Sequence, residues 1–203
     1  MLLAVTLTLA AAQPANAAEA AAAPGPAARP DCSYDLDAML ALDRNAFDQD
    51  IPDGGWRALS KDGCHSEAAE LIRIWRHAKR DHNSILYWHE GQMRAFAGQT
   101  KEAIALFSRT YTAPEDDADF GWNHYVSGTI AFLRKDREHL QAAIGRLKTI
   151  PEPENNSFTR PDGTTVQMSW SPNLNVLEGF EKCWEKSYAE AYGNRDCSAS
   201  LTL

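Results

Sequence analysis

The first residues to weigh for chemistry are His89 and Glu90, which open a run similar to HExxH. A zinc site of that kind needs a second histidine one helical turn on, with the glutamate as base. That position is Met93, so the match fails. His77 and His82 are five residues apart, which does not bring them to one face of a single helix. The six histidines therefore read as surface or inter-helix residues, and no metal site is expected. Ser127-Gly128 lacks the preceding glycine of a GxSxG nucleophile elbow, and Ser66 and Ser84 stand where helix caps are expected. No phosphate-cradling GxxxxGK loop occurs. The acidic run Glu115, Asp116, Asp117 and Asp119 lacks the alternating ligands and central glycine of an EF-hand. It reads as a solvated turn whose acids favour the N-terminus of the following helix. Glu90 and Arg94, four apart, are expected to pair on an exposed helix face for about 0.3 to 0.5 kcal/mol. The chemistry-bearing residues thus imply a binding protein rather than an enzyme, with no cofactor.

The 203 residues suit one domain, and 44% apolar content is enough to build a core. Leu2 to Ala12 is an apolar run of signal-peptide length, followed by the small residues Ala15-Asn16-Ala17, although no Lys or Arg precedes Arg29. The reading is a signal peptide over 1–17, a disordered Ala/Pro linker over 18–30 and a single folded domain over 31–203. No later stretch is long and apolar enough for a membrane helix, so no membrane insertion is expected after signal cleavage, and the location is periplasmic or secreted. Four cysteines remain: Cys32, Cys64, Cys183 and Cys197. An even count in an exported chain favours disulfides, with three pairings possible. Cys32 with Cys64 and Cys183 with Cys197 are favoured, because each ties an end of the chain to a nearby element. A net charge of -8 and a pI near 5.2 disfavour nucleic acid or an anionic membrane as partner, leaving a basic protein possible.

The elements that would position any site are set by a repeat. Gly98 to Phe107 reads GQTKEAIALF, Gly63 to Ile72 reads GCHSEAAELI, and Lys135 to Ile144 reads KDREHLQAAI, at steps of 35 and 37 residues. A turn followed by an apolar helix at such a period is the pattern of stacked helical hairpins. Helices are expected over Asp35 to Asp48, Trp56 to Ser60, Ser66 to Lys79, Ser84 to Ala97 (capped by Asn83 or Ser84), Thr100 to Tyr111 (capped by Thr100), Asp119 to Arg134, and Asp136 to Thr149. Pro151 to Pro172 reads as a long loop with a short hairpin around Asp162-Gly163. A final helix over Asn173 to Glu190 is expected to cap the third hairpin.

These units resemble tetratricopeptide-like helical repeats. The residues that carry the likeness are Gly91, Ala103, Phe107 and Pro114 in the second unit and Gly128, Leu140, Ile144 and Pro151 in the third. In the first unit Trp56 stands where a small residue is usual. The runs FDQDIPDGGWRAL, WHEGQMRAFAG and CWEKSYAEAYG also look like those of a group of exported bacterial proteins of unassigned function. The resemblance implies an all-α stack of about three hairpins with a C-terminal capping helix. It places a concave binding groove at Arg57, at Ile85, Trp88, Gln92 and Phe96, and at Trp122, Tyr125, Thr129 and Phe132. Two arrangements fit these aromatic and apolar positions: an open groove, or core beneath the final helix and the long loop. The expected function is a protein- or peptide-binding module, with a toxin-neutralising inhibitor or an enzyme with a non-local site as alternatives.

Overall fold

The computed structural model describes residues 30–49, 54–160 and 163–197 and is mostly helical. The expected signal peptide, and the linker up to residue 29, lie outside the described residues. The chain runs through α1 (Leu36–Ala41), a π-helical turn (Asn45–Gln49), α2 (Trp56–Lys61), α3 (His65–Lys79), α4 (Ser84–Phe96), α5 (Thr100–Phe107) and α6 (Pro114–Asp117). It continues through α7 (Trp122–Arg134), α8 (Arg137–Leu147), α9 (Leu174–Lys182) and α10 (Tyr188–Ala191). A two-stranded antiparallel hairpin, β1 (Ser157–Thr159) and β2 (Thr165–Gln167), occupies the long loop, with Ser157 opposite Gln167 and Thr159 opposite Thr165.

Successive helices pack in pairs: α2 on α3, α3 on α4, α4 on α5 and α7 on α8. Close approach within the second pair depends on Gly91. A Cβ there would stand 2.7 Å from the Phe107 ring, so the smallest residue leaves room for the largest. At Gly128 the corresponding space is taken by Leu177 of α9, 2.5 Å from a hypothetical Cβ, with Ala143 of α8 behind it. The third hairpin is therefore filled by the C-terminal segment as well as by its own partner helix.

Several local expectations are corrected. The single helix expected over Asp35 to Asp48 is α1, capped by Asp35, followed by the separate π-helical turn. Asn83 caps α4, accepting from the Ile85 N–H at 3.2 Å. Ser66 and Thr100 cap nothing: the preceding residues Cys64 and Gln99 hold the N-cap positions of α3 and α5, without side-chain capping bonds. The Ser66 hydroxyl instead accepts from the Gln99 side chain. The expected final helix is two helices, because Ser187 and Glu190 form a reciprocal capping box that starts α10 afresh.

The apolar residues fall in two clusters. One gathers Phe47, Trp56, Leu71, Ile72, Trp75, Leu86 and Met93; the other gathers Trp88, Phe107, Tyr125, Phe132, Leu140, Leu177, Phe180 and Tyr188. Ile85 and Phe96 of α4 pack against both and join them. The disulfides are Cys32–Cys64 and Cys183–Cys197, as favoured from the sequence. The first anchors the start of the described chain to the entry of α3. The second clips the end of α9 to the segment after α10. No helix among the described residues is long and apolar enough to cross a membrane.

Candidate functional site

The nine groove positions do not share one environment. Trp88, Tyr125, Thr129 and Phe132 are 4%, 2%, 0% and 1% exposed, so the middle of the expected groove is closed. The chain closes it with its own C-terminal segment. Phe132 stacks on Phe180 of α9 at 4.3 Å, and Phe96 meets the edges of Tyr188 and Tyr192 at 5.1 and 5.5 Å. Trp88 is packed among Phe107, Trp122 and Tyr125, with ring centroids 4.4 to 4.9 Å away. Burial first, and then the neighbouring tyrosines 192 and 188, hold the Tyr125 hydroxyl well above its ordinary pKa, which keeps it neutral. Of the two arrangements open to these aromatics, the middle of the row takes the buried one, as core under α9 and α10.

Two ends of the row remain accessible. Ile85 and Trp122 border a cleft with Phe120 and Asp116, the Trp122 indole N–H being held by the Thr110 carbonyl at 2.8 Å. At the other end, Arg57, Gln92 and Phe96 line a cleft of about 380 Å³ together with Trp56, Ser60, Lys61, Met93 and Tyr192. Residues from α2, α4 and the chain after α10 meet there. The Gln92 amide donates to the Tyr192 hydroxyl at 3.0 Å, fixing the floor, and the Arg57 guanidinium lies 4.2 Å over the Trp56 ring.

A buried carboxylate braces this second cleft. Asp48, at the π-helical turn, is fully buried and accepts from the Trp56 indole N–H at 3.0 Å. His89 Nδ1 lies 2.7 Å from the same oxygen, and Gln49 donates to the other. The backbone carbonyl of Asp48 accepts twice from Arg57, at 2.7 and 3.2 Å. Burial alone would raise the Asp48 pKa; its pairing with His89 and the hydrogen bonds from Trp56 and Gln49 outweigh that and hold it below the ordinary carboxylate value. An ionised Asp48 can only accept, so His89 donates to it from Nδ1. Gly55 completes the bracket. With φ of +52 and an imaginary Cβ 2.2 Å from the Phe47 carbonyl oxygen, that position admits no side chain.

This aspartate and histidine, 41 residues apart, are the arrangement that sequence reasoning missed. His89 drew notice only as a failed zinc motif. The available signal was the Gly54-Gly55-Trp56-Arg57 run, which demands a tight bend just where a buried acid could collect an indole and an imidazole while its backbone carbonyl takes a guanidinium. Among the described residues no serine, threonine or cysteine bonds to His89, so the pair orients a ring without an attached nucleophile. One other grouping of potential ligands occurs among the described residues, Cys32, Cys64 and Glu67, but the two sulfurs are bonded to each other.

The expected exposed pair of Glu90 and Arg94 is also corrected. Glu90 is 3% exposed, and its main partner is Arg76 of α3, at 2.5 and 3.1 Å; Arg94 stands 3.8 Å away and reaches Glu70 at 3.1 Å. These charges tie α3 to α4 directly behind the groove positions. Comparison with protein-family models, with curated proteins and with solved structures finds no match to this chain.

Proposed function

We propose that this chain is an exported, tetratricopeptide-like repeat module that binds a protein or peptide through the cleft between α2, α4 and Tyr192. The observation that carries the reading is the convergence of three groove positions, Arg57, Gln92 and Phe96, on one solvent-open cleft whose walls are held before any partner arrives. Aromatic and arginine side chains are the residues that dominate binding energies at protein interfaces. Walls fixed by Asp48 and Tyr192 reduce the ordering cost of association. The cleft offers an apolar or aromatic anchor the rings of Phe96 and Tyr192, with Arg57 held over the buried Trp56 ring at its wall and Gln92 fixing Tyr192 from below. Two disulfides and an apolar leader followed by small residues support a periplasmic or secreted location. The acidic charge of -8 argues against a nucleic-acid partner.

Affinity capture from a periplasmic extract tests this, with wild-type domain run beside Ser60→Trp, a substitution at the cleft wall that fills it, and both proteins checked for equal melting temperature. A partner retained by wild type and lost on the filled variant is the expected outcome. Equal yields from both proteins, or no specific partner, would overturn the cleft assignment. Trp88→Ala is a poor probe here, because removing a buried indole costs about 3 to 5 kcal/mol of stability whatever its role in binding.

A further inference from the structure

A second surface is built differently from the groove. On the face of α7 next to the groove row, His124, Ser127, Ala131 and Arg134 follow one another at spacings of three and four, and α8 presents His139, Ala143 and Arg146 against them. Together they enclose a cavity of about 310 Å³ on a chain whose net charge is -8. Arg134 and Arg146 make no hydrogen bond or ion pair through their side chains to other described residues. The one acid lining the cavity, Asp136, accepts from the His139 N–H as cap of α8 and lies 2.7 Å from His139 Nδ1; Arg134 attracts it only at longer range, without an ion-pair contact.

The two arginines stand at opposite ends of the cavity, each beside a histidine. Arg134 and His139 flank the hairpin turn, whereas His124 and Arg146 both also line the adjoining cleft and so mark the opposite end. Along α7 the two ends are about 15 Å apart, at about 1.5 Å per residue. Between them lie small alanines and the hydroxyls of Tyr111 and Ser127, 3.1 Å from each other. A single small anion could engage only one end at a time. An extended chain advances about 3.3 Å per residue and spans the whole distance in about five residues.

We propose that the groove between α7 and α8 is a second recognition site, for an extended acidic peptide segment whose carboxylates meet Arg134 at one end and Arg146 at the other. It is independent of the cleft at Arg57, sharing no lining residue with it. Because the chain as a whole is acidic, attraction comes from these local side chains and is screened by salt.

The test is a titration of fluorescein-labelled hexaglutamate into the disulfide-intact protein, followed by anisotropy at low and at raised salt. Hexalysine serves as the control, and inorganic phosphate is the competitor. Binding of hexaglutamate that weakens with salt is expected, with a loss of about tenfold or more in Arg134→Gln/Arg146→Gln, equivalent to one charged contact or more. Both positions are exposed, so melting should not change; the single variants provide a second measure, each expected to lose part of the affinity. No binding, or affinity unchanged in the double variant, would overturn the site. Displacement by phosphate at concentrations comparable to the peptide would overturn the extended-peptide occupant in favour of a small anion. Neither result bears on the Ser60→Trp capture, so the two assignments can fail separately.

Discussion

Replacing Glu90 with glutamine tests whether α3 and α4 are joined by a buried charge or only touch at the surface. The Arg76 and Glu90 side chains are each 4% exposed, and two nitrogens of Arg76 reach one oxygen of Glu90. An exposed pair would contribute about 0.3 to 0.5 kcal/mol. Removing one partner of a buried pair leaves an uncompensated charge and costs about 3 to 5 kcal/mol. Two features draw the estimate to the lower end: the Arg76 guanidinium also lies 4.0 Å over the Tyr87 ring, a contact that survives the substitution, and glutamine retains one acceptor oxygen. A loss of about 3 kcal/mol corresponds to a melting temperature lower by about 6 to 12 °C for a chain of this size. Urea unfolding followed by far-ultraviolet circular dichroism measures it. The companion Arg76→Met/Glu90→Leu variant, which removes both charges, should recover most of the loss, since apolar pairs of similar volume commonly replace buried ion pairs without cost. A loss below about 0.5 kcal/mol for Glu90→Gln, the value of a surface pair, would refute the reasoning and return Glu90 to the exposed role expected from its spacing to Arg94.

Two further outcomes follow from the bracing of the cleft and of its cover. Asp48 is held below the ordinary carboxylate pKa, so its contribution is complete above about pH 4, the unfolded value, and is lost as the pH falls through the folded one. Wild-type stability should therefore fall more steeply below about pH 4 than that of Asp48→Asn; parallel pH profiles would show that Asp48 is not specifically held. The Cys183–Cys197 link closes a separation of 14 residues, for which loop-closure entropy gives about 3 kcal/mol, model-dependent in origin. The Cys183→Ser/Cys197→Ser variant should lose about that much stability and let acrylamide quench tryptophan fluorescence more strongly as α9 and α10 loosen over Trp88; unchanged quenching would mean that packing alone holds the cover.

What could be read from the sequence was local or periodic. Gly91 facing Phe107 needed only the repeat, because both residues lie in one hairpin and the small residue predicts the large one. The cysteine pairs were readable because each joins a chain end to something near it. The centre of the groove stayed open between two arrangements for a different reason. Trp88, Tyr125 and Phe132 have the same spacing whether they face solvent or a cap, and only the docking of Phe180, Tyr188 and Tyr192 across α4 and α7 decides between the two. One clue to that docking was present: Ser187 and Glu190, three apart, form the signature that starts a new helix and redirects the chain. Asp48 with His89, and Arg76 with Glu90, join elements through side chains of no shared period, so spacing carries no trace of them. These same contacts hold Arg57 and α4 in place. The residues that shape the cleft are therefore the least visible in the sequence, while the repeat that made the fold legible supplies mainly its scaffold.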